Sequence, residues 1–400
     1  MISVDNAKGW IGGVIALGDR RVAGSDTERM AHEKLAHDIR ALGVSDVELL
    51  KFRHNRSLYA NMALHFLIAA LASVALLCGV PAWACALVHV GVVMSYWLES
   101  NKKARVLRHI FPWHNSQNMV ATSRARGTMK RRLVVVSHID AAFTGLIFHP
   151  TMIKQALKPP PFEFLMFMRK SMLVATASVL ILVGLDLIAI VGFLGSLWFR
   201  CLVIAATIPA LLTALFNGQV VLKNTVVPGA NDNLTGCFAL LYLASRLLDS
   251  QPDDVELVFV ATGCEEAGTG GAWALSEQMR DVWSTEHTTV LGVDTLCGGE
   301  LHYFEEGELL SMDVPAPLES LVHDELPEVK KYPIPSGATD ALPFLVRGYN
   351  AMTFGCVDPD IGAPRNYHYP TDDVAHLEEE QLAISLEQIQ RFIVAWLAQD

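Results

Sequence analysis

The sequence predicts an α/β fold, a mostly parallel central sheet flanked by helices, that also carries four transmembrane helices in two hairpins. Three observations lead there. Short β-branched runs alternate with helical periodicities through the polar part of the chain, the pattern of a parallel sheet covered by helices. Two pairs of long apolar stretches interrupt that alternation. Of the 400 residues, 52% are hydrophobic and only 18% charged, and the mean hydropathy is +0.32; this is too apolar for a chain lying wholly in water.

Residues 1–24 lack a basic stretch followed by a long apolar core, so no cleaved signal peptide is expected. Helical spacing runs from 26 to 42, with Ser25 or Asp26 as the N-cap. The apolar stretches follow at 59–78, 80–98, 172–194 and 197–216, each close to the roughly 20 residues that cross a hydrocarbon core. The links at 79–82 and 195–196 are too short to hold a domain, so the stretches pair as two hairpins. Buried core helices would be the alternative, but the third stretch is apolar around its whole circumference rather than along one stripe. The second is the weakest, being short and carrying His89. Asp186 in the third costs roughly 2.5–3.5 kcal/mol at a helix centre, so it marks either a polar path or a partner on a neighbouring helix.

Basic residues set the orientation. Lys51, Arg53 and Arg56 precede the first hairpin, and Lys102, Lys103, Arg105 and Arg108 follow it; Arg169 and Lys170 precede the second, and Lys223 follows. The positive-inside rule then places both termini and the central segment in the cytoplasm of a multi-pass integral membrane protein. The expected division is 1–57, the first part of the α/β domain; 58–99, hairpin one; 100–170, the domain continued; 171–218, hairpin two; and 219–400, the domain completed. The clearest Pro-rich linker lies at 158–161.

Further strands are expected at 133–136, 255–260, 290–293 and 351–354, with helices at 234–248, 272–279 and 377–398. The formal net charge of −11 argues against a nucleic-acid partner, which needs a basic face. The seven cysteines include no Cys-x-x-Cys pair, which points to a reducing compartment rather than a disulfide framework. Nothing in the sequence sets an oligomeric state.

The chemistry-bearing residues fall where strands end. The run at 133–137 leads into His138 and Asp140, 255–263 into Cys264, Glu265 and Glu266, and 290–293 into Asp294. Between them lies Pro228-Gly229-Ala230-Asn231-Asp232-Asn233 at the start of a helix, and later comes Tyr367-His368-Tyr369-Pro370-Thr371-Asp372-Asp373. Ligands of open α/β sheets bind beyond the carboxyl ends of the strands, so His and carboxylate side chains at consecutive strand ends suit a metal site.

These pieces, in this order, resemble the co-catalytic zinc aminopeptidases, the family of bacterial leucyl and Streptomyces-type aminopeptidases and of the glutamate carboxypeptidase catalytic domain. The resemblance rests on Arg21-Val22-Ala23-Gly24-Ser25, Ser137-His138-Ile139-Asp140, Gly229-Ala230-Asn231-Asp232-Asn233, Glu265-Glu266, Gly292-Val293-Asp294, and His368 with Thr371-Asp372. It covers nearly all of the chain outside the two hairpins. It implies two divalent metal ions, zinc before cobalt or manganese, with His138 and Asp294 completing one site, Glu266 and His368 the other, and Asp232 bridging them. It implies Glu265 as general base, Asp140 as the acceptor that fixes the tautomer of His138, and Tyr367 as a donor to the oxyanion. Asp340 is read as structural or pocket-lining, and Cys264 as a packed small residue rather than a nucleophile.

The implied activity is aminopeptidase-type hydrolysis of a peptide or other amide, at the face of membrane lipid. Two alternatives stand beside it: an amidase acting on a lipid-linked amide or aminoacylated lipid, and an inactive membrane scaffold with the same fold. Glutaminyl cyclases share the fold but use one zinc, and the complete ligand set argues against them. The hairpins are the main departure from the family, and they put the substrate in question rather than the ligands.

Overall fold

The computed structural model describes residues 2–192 and 196–399. The strands are β1 (Asp46–His54), β2 (His114–Ser123), β3 (Arg131–His138), β4 (Phe143–Thr144), β5 (Thr225–Val226), β6 (Val255–Thr262), β7 (Thr288–Asp294), β8 (Glu300–Glu305), β9 (Lys330–Pro333) and β10 (Asn350–Val357). The helices are α1 (Ala7–Ile15), α2 (Asp26–Ala41), α3 (Leu58–Leu77), α4 (Ala82–Ser100), α5 (Pro150–Ala156), α6 (Ser171–Ile190), α7 (Leu197–Lys223), α8 (Gly236–Leu247), α9 (Gly270–Gln278), α10 (Ala316–Glu325), α11 (Leu342–Leu345) and α12 (Glu379–Leu397).

One sheet has the order β1-β2-β6-β3-β7-β10-β8-β9, and β4 pairs with β5 apart from it. Its centre is parallel, β6 to β3, β3 to β7 and β7 to β10, and β8 pairs parallel with β9. The pairs β1–β2, β2–β6 and β10–β8 are antiparallel. A strand buried on both faces reads as a continuous apolar run, and β3 and β6 do so. Leu133 and Val135 enter one core with α1, α2, α8 and α12, while Val134 and Val136 enter the other with α9 and α11. Each such aliphatic side chain is worth roughly 1.5–3 kcal/mol when fully buried. Helix α12 repeats Leu382, Leu386, Ile389, Phe392 and Trp396 on its buried face, and α2 is capped by the Ser25 hydroxyl, which accepts from Glu28 N at 3.0 Å.

Helices α3, α4, α6 and α7 form a four-helix bundle on the sheet domain, each long and apolar enough to cross a membrane. The bounds of α3 and α4 lie within two residues of the expected stretches, whereas α6 ends at Ile190, short of the expected 194, and α7 runs on to Lys223. The turn expected at 195–196 and the end of the third stretch fall partly on 193–195, outside the described residues. The bundle is apolar on its outside, and its interior sets a few polar side chains among apolar clusters. Leu67, Leu71, Leu87, Ile181, Leu187, Leu202 and Leu215 are exposed, whereas His65, Ser73, His89, Ser95 and Asp186 are buried. A bundle facing water would not expose so many large apolar side chains.

The two residues that weaken the middle spans satisfy each other. His89 Nδ1 of α4 lies 2.6 Å from Asp186 Oδ2 of α6, and His89 Nε2 faces the Ala69 carbonyl of α3 at 3.0 Å. Asp186 is thus a helix–helix partner. His89→Leu should lower stability by about 1–3 kcal/mol, because it leaves a buried carboxyl without its partner. The His89→Leu/Asp186→Leu double variant should recover most of that loss. Thermal unfolding of the detergent-solubilised proteins measures both, and additive losses would mean that the two groups are not coupled.

Candidate metal centre

The sheet delivers the candidate ligands to one place. His138 ends β3 and Asp294 ends the adjacent parallel strand β7. Glu265 and Glu266 follow β6 on its other side, Asp232 stands before α8, and His368 sits between β10 and α12. His138, Asp232 and Asp294 converge in one group, and Asp232, Glu266 and His368 in another. Asp232 belongs to both. Its Oδ1 lies 3.2 Å from His138 Nε2 and its Oδ2 lies 3.1 Å from His368 Nε2. Asp294 Oδ2 is 3.8 Å from His138 Nε2, and Glu266 Oε2 is 3.3 Å from His368 Nε2. Glu265 Oε2 stands 3.9 Å from His138 Nε2 and bonds to neither imidazole.

The surrounding backbone is tied down. Arg21 donates to the Ile139 carbonyl at 2.5 Å and to the Pro228 and Gly229 carbonyls at 3.0 Å each, which ties the Asp232 loop to the end of β3. Gly229 is left-handed there, with φ 65°, and a Cβ would meet Asp232 O at 2.6 Å and the Arg21 guanidinium at 2.8 Å; no other residue fits. Asp372 accepts from Asn231 N at 2.7 Å and Asp232 N at 3.1 Å. Glu28 accepts from Cys264 N at 2.9 Å and from the Ser116 hydroxyl at 2.7 Å. Cys264 itself is left-handed at φ 58° and His368 at φ 49°, conformations that bulky residues hold only when their surroundings enforce them.

Asp140 differs in detail from expectation. Its carboxylate is 3.7 Å from His138 Nδ1, which faces the Asp140 backbone carbonyl at 3.3 Å instead. The carboxylate oxygens accept from Glu265 N at 2.9 Å and Glu266 N at 3.1 Å. Two peptide N–H groups match the two oxygens of a carboxylate, so Asp140 fixes the turn that presents both glutamates. Asp340 is buried and accepts from the Thr262 hydroxyl, a structural place. Cys264 is buried beside Glu28, and burial pushes its thiol well above the ordinary range, unfavourable for a nucleophile.

Tyr367 stacks on His368, ring centres 4.0 Å apart, and Phe148 lies 4.5 Å from the same imidazole. Burial, then Asp232 and Glu266, hold the Tyr367 phenol well above its usual value, so it is a proton donor at neutral pH. Sequence reasoning missed Tyr59, in the first turn of α3, which lines the same cavity and packs against Phe148 at 6.1 Å. Its only signal was a tyrosine at the end of an apolar stretch, the position of an interfacial aromatic.

The electrostatics call for cations. Burial, then like charges, pushes the Glu265 and Glu266 carboxyls well above the usual range. Burial opposes ionisation of Asp232 too, yet His138 and His368 hold it low. Asp232 Oδ2, Glu266 Oε1 and Asp294 Oδ1 are buried without an aligned hydrogen-bond donor. Buried acceptors facing one another need a positive charge between them, and imidazole with carboxylate is a zinc-type donor set. The residues fit a zinc-type divalent cation.

Residues 217–393 match peptidase family M28. Aminopeptidase YwaD of Bacillus subtilis (strain 168) is 28% identical over 171 residues, 39% of this chain and 35% of the relative; the match thus spans about a third of that protein. In fold, the chain is similar to BSAP, a zinc aminopeptidase from Bacillus subtilis, with TM-score 0.56 and 13% identity, over 98% of this chain and 95% of that one. It is also similar to a glutaminyl cyclase from Bacteroides thetaiotaomicron, with TM-score 0.54 and 13% identity, over 100% of this chain and 98% of that one. The matched segment carries Asp232, Glu265, Glu266, Asp294 and His368, so the part of the chain that is similar to peptidase family M28 supplies every candidate ligand except His138.

Proposed function

We propose that the protein is a membrane-anchored amide hydrolase of aminopeptidase type. His138, Asp232 and Asp294 would hold one zinc ion, and Asp232, Glu266 and His368 a second. The observation that carries this reading is the Asp232 carboxylate set between two imidazoles, 3.2 and 3.1 Å away. When bound, the ions would acidify a water molecule and polarise the scissile carbonyl. Glu265, within the cavity but bonded to neither histidine, takes the proton from the attacking water and passes it to the leaving amine. Tyr367 and Tyr59 border the same cavity and offer phenol hydrogens to the carbonyl oxygen as it gains charge. An inactive scaffold could lose any of these groups without consequence, and all of them are present.

Anchoring is supported by the outward apolar faces of the bundle and by Trp83, Trp97 and Trp198 near the ends of α4 and α7, where interfacial tryptophans belong. The lysines and arginines that flank both hairpins support a sheet domain on the cytoplasmic side by the positive-inside rule.

Chelation tests the reading. Hydrolysis of leucyl p-nitroanilide by detergent-solubilised protein should fall to background after dialysis against a zinc chelator. Added zinc should restore it, with a break at two equivalents per chain. Full activity in protein shown metal-free by elemental analysis would overturn it.

A further inference from the structure

The cavity at the candidate metal centre does not end in the sheet domain. It holds about 590 Å³ and runs from His138, Asp232 and His368 into the bundle, where Met62 of α3, Met172 of α6 and Leu212, Thr213 and Phe216 of α7 line it. The two ends differ in chemistry. One wall near the glutamates is charged: Arg108 Nε lies 2.5 Å from Glu99, and Lys102 Nζ lies 3.9 Å from Glu308. The far end is apolar, and its rim is exposed: Met152 by 39%, Met168 by 55% and Leu212 by 46%. Leu212 stands four residues inside the end of the apolar stretch 197–216, roughly 6 Å along the helix. With Met152 and Met168 on the same rim, the opening stands where the sheet domain meets the edge of the apolar span.

A second feature lies beside the rim. The turn Glu163–Arg169 leads into α6, and Phe162 just before it and Phe164, Phe167 and Met168 on it are exposed. Apolar side chains backed by Arg169 and Lys170 suit the boundary between headgroups and acyl chains.

We infer that the site takes an amphiphilic amide from the bilayer, with the amide at the metal centre and a single apolar chain laid between α3, α6 and α7. This rests on the hydrolase reading above and names its substrate class. A polar peptide in the same place would leave amide groups unpaired against Met62, Leu212 and Phe216, which is costly, whereas an alkyl chain fills that end without penalty. The reaction is unchanged. The C–N bond breaks, the oxygen of water joins the acyl carbon, and the proton that Glu265 takes from water goes to the departing amine.

The test uses the full-length, zinc-loaded protein in detergent and two substrate series. In one, leucine carries an n-alkylamide from ethyl to octyl, which places the chain on the amine; in the other, leucine is N-acylated from acetyl to octanoyl, which places it on the acyl side. In one of the two series kcat/KM should rise at least about tenfold from the shortest to the longest chain, a small part of the gain that burying six methylenes allows. Thr213→Trp, and the milder Leu212→Phe, should lower the long-to-short ratio by a comparable factor. Binding gives an independent readout, because zinc-loaded Glu265→Gln protein should bind the longer member of that series at least about tenfold more tightly by calorimetry. Flat profiles in both series, or preference for a soluble tripeptide over every tailed amide, would overturn the inference while leaving the hydrolase reading intact. Absence of hydrolysis throughout, with tail-dependent binding retained, would sink the hydrolase reading and leave the tail site standing.

Discussion

Glu265→Gln should lower kcat by at least about 10²–10⁴-fold, the range that a positioned general base supplies, without loss of zinc. The substitution preserves shape and removes only the ability to take a proton. The main chain at this position is held from outside: Asp140 accepts from Glu265 N at 2.9 Å and from Glu266 N at 3.1 Å, and Glu28 accepts from Cys264 N at 2.9 Å. Glu266 would therefore keep its place facing His368, and the ion count by elemental analysis should equal that of the unaltered protein. The Glu265 carboxylate bonds to neither imidazole and stands 3.9 Å from His138 Nε2, so its loss uncouples little of the packing. Turnover within a few-fold of the unaltered enzyme would remove Glu265 from proton transfer and shift the search to another group in the cavity. Loss of zinc together with loss of activity would make Glu265 a ligand instead, the role that its grouping with His138 and Glu266 also allows.

Much of this site is legible in the sequence because the ligand-type residues sit where strand patterns stop. The β-branched run of β3 ends on His138 and that of β7 on Asp294, and a parallel sheet gathers strand ends of one direction along one edge. The apolar helices are legible for a simpler reason: hydropathy is summed over some twenty residues and tolerates a few polar ones. The parts that were not legible depend on partners far along the chain. Nothing near His89 announces Asp186, 97 positions away, and nothing near Tyr59 announces the candidate ligands.

The edges of the sheet were missed for another reason. Strand β1 reads Asp-Val-Glu-Leu-Leu-Lys-Phe-Arg-His and is only partly buried, and β9 has four residues, none of them buried. Edge strands carry charge to discourage pairing with other chains, which also erases the apolar run by which a strand is recognised. The expected Asp140–His138 bond fell to local competition. Two peptide N–H groups stand closer to the carboxylate than the imidazole does, and a side-chain motif does not report where free backbone donors will be.

Asp232→Ala should remove both ions, whereas Asp294→Ala should weaken one. The Asp232 carboxylate faces His138 with Oδ1 and His368 with Oδ2, so no other ligand in the centre belongs to both groups. Its loss should weaken zinc binding by more than the roughly 10–100-fold that follows loss of an outer hydrogen-bond partner, and hydrolysis should drop to background. The fold should survive. Asp372 holds this loop through backbone amides, those of Asn231 and Asp232 at 2.7 and 3.1 Å, and a change of side chain leaves both donors in place. Arg21 still ties Gly229 to Ile139, and one carboxylate is gone from a crowded acidic cluster. Thermal unfolding of the metal-free proteins should thus show at most a modest loss, because the variant gives up the pairs that His138 and His368 make with Asp232 while relieving its repulsion of Glu266 and Asp294. Zinc titration followed by elemental analysis separates the cases. About two ions are expected in the unaltered protein, near one in Asp294→Ala at moderate zinc, and close to none in Asp232→Ala. A full complement in Asp232→Ala would mean that the two groups hold their ions without a shared carboxylate, and the two-ion centre would have to be rebuilt around Glu265.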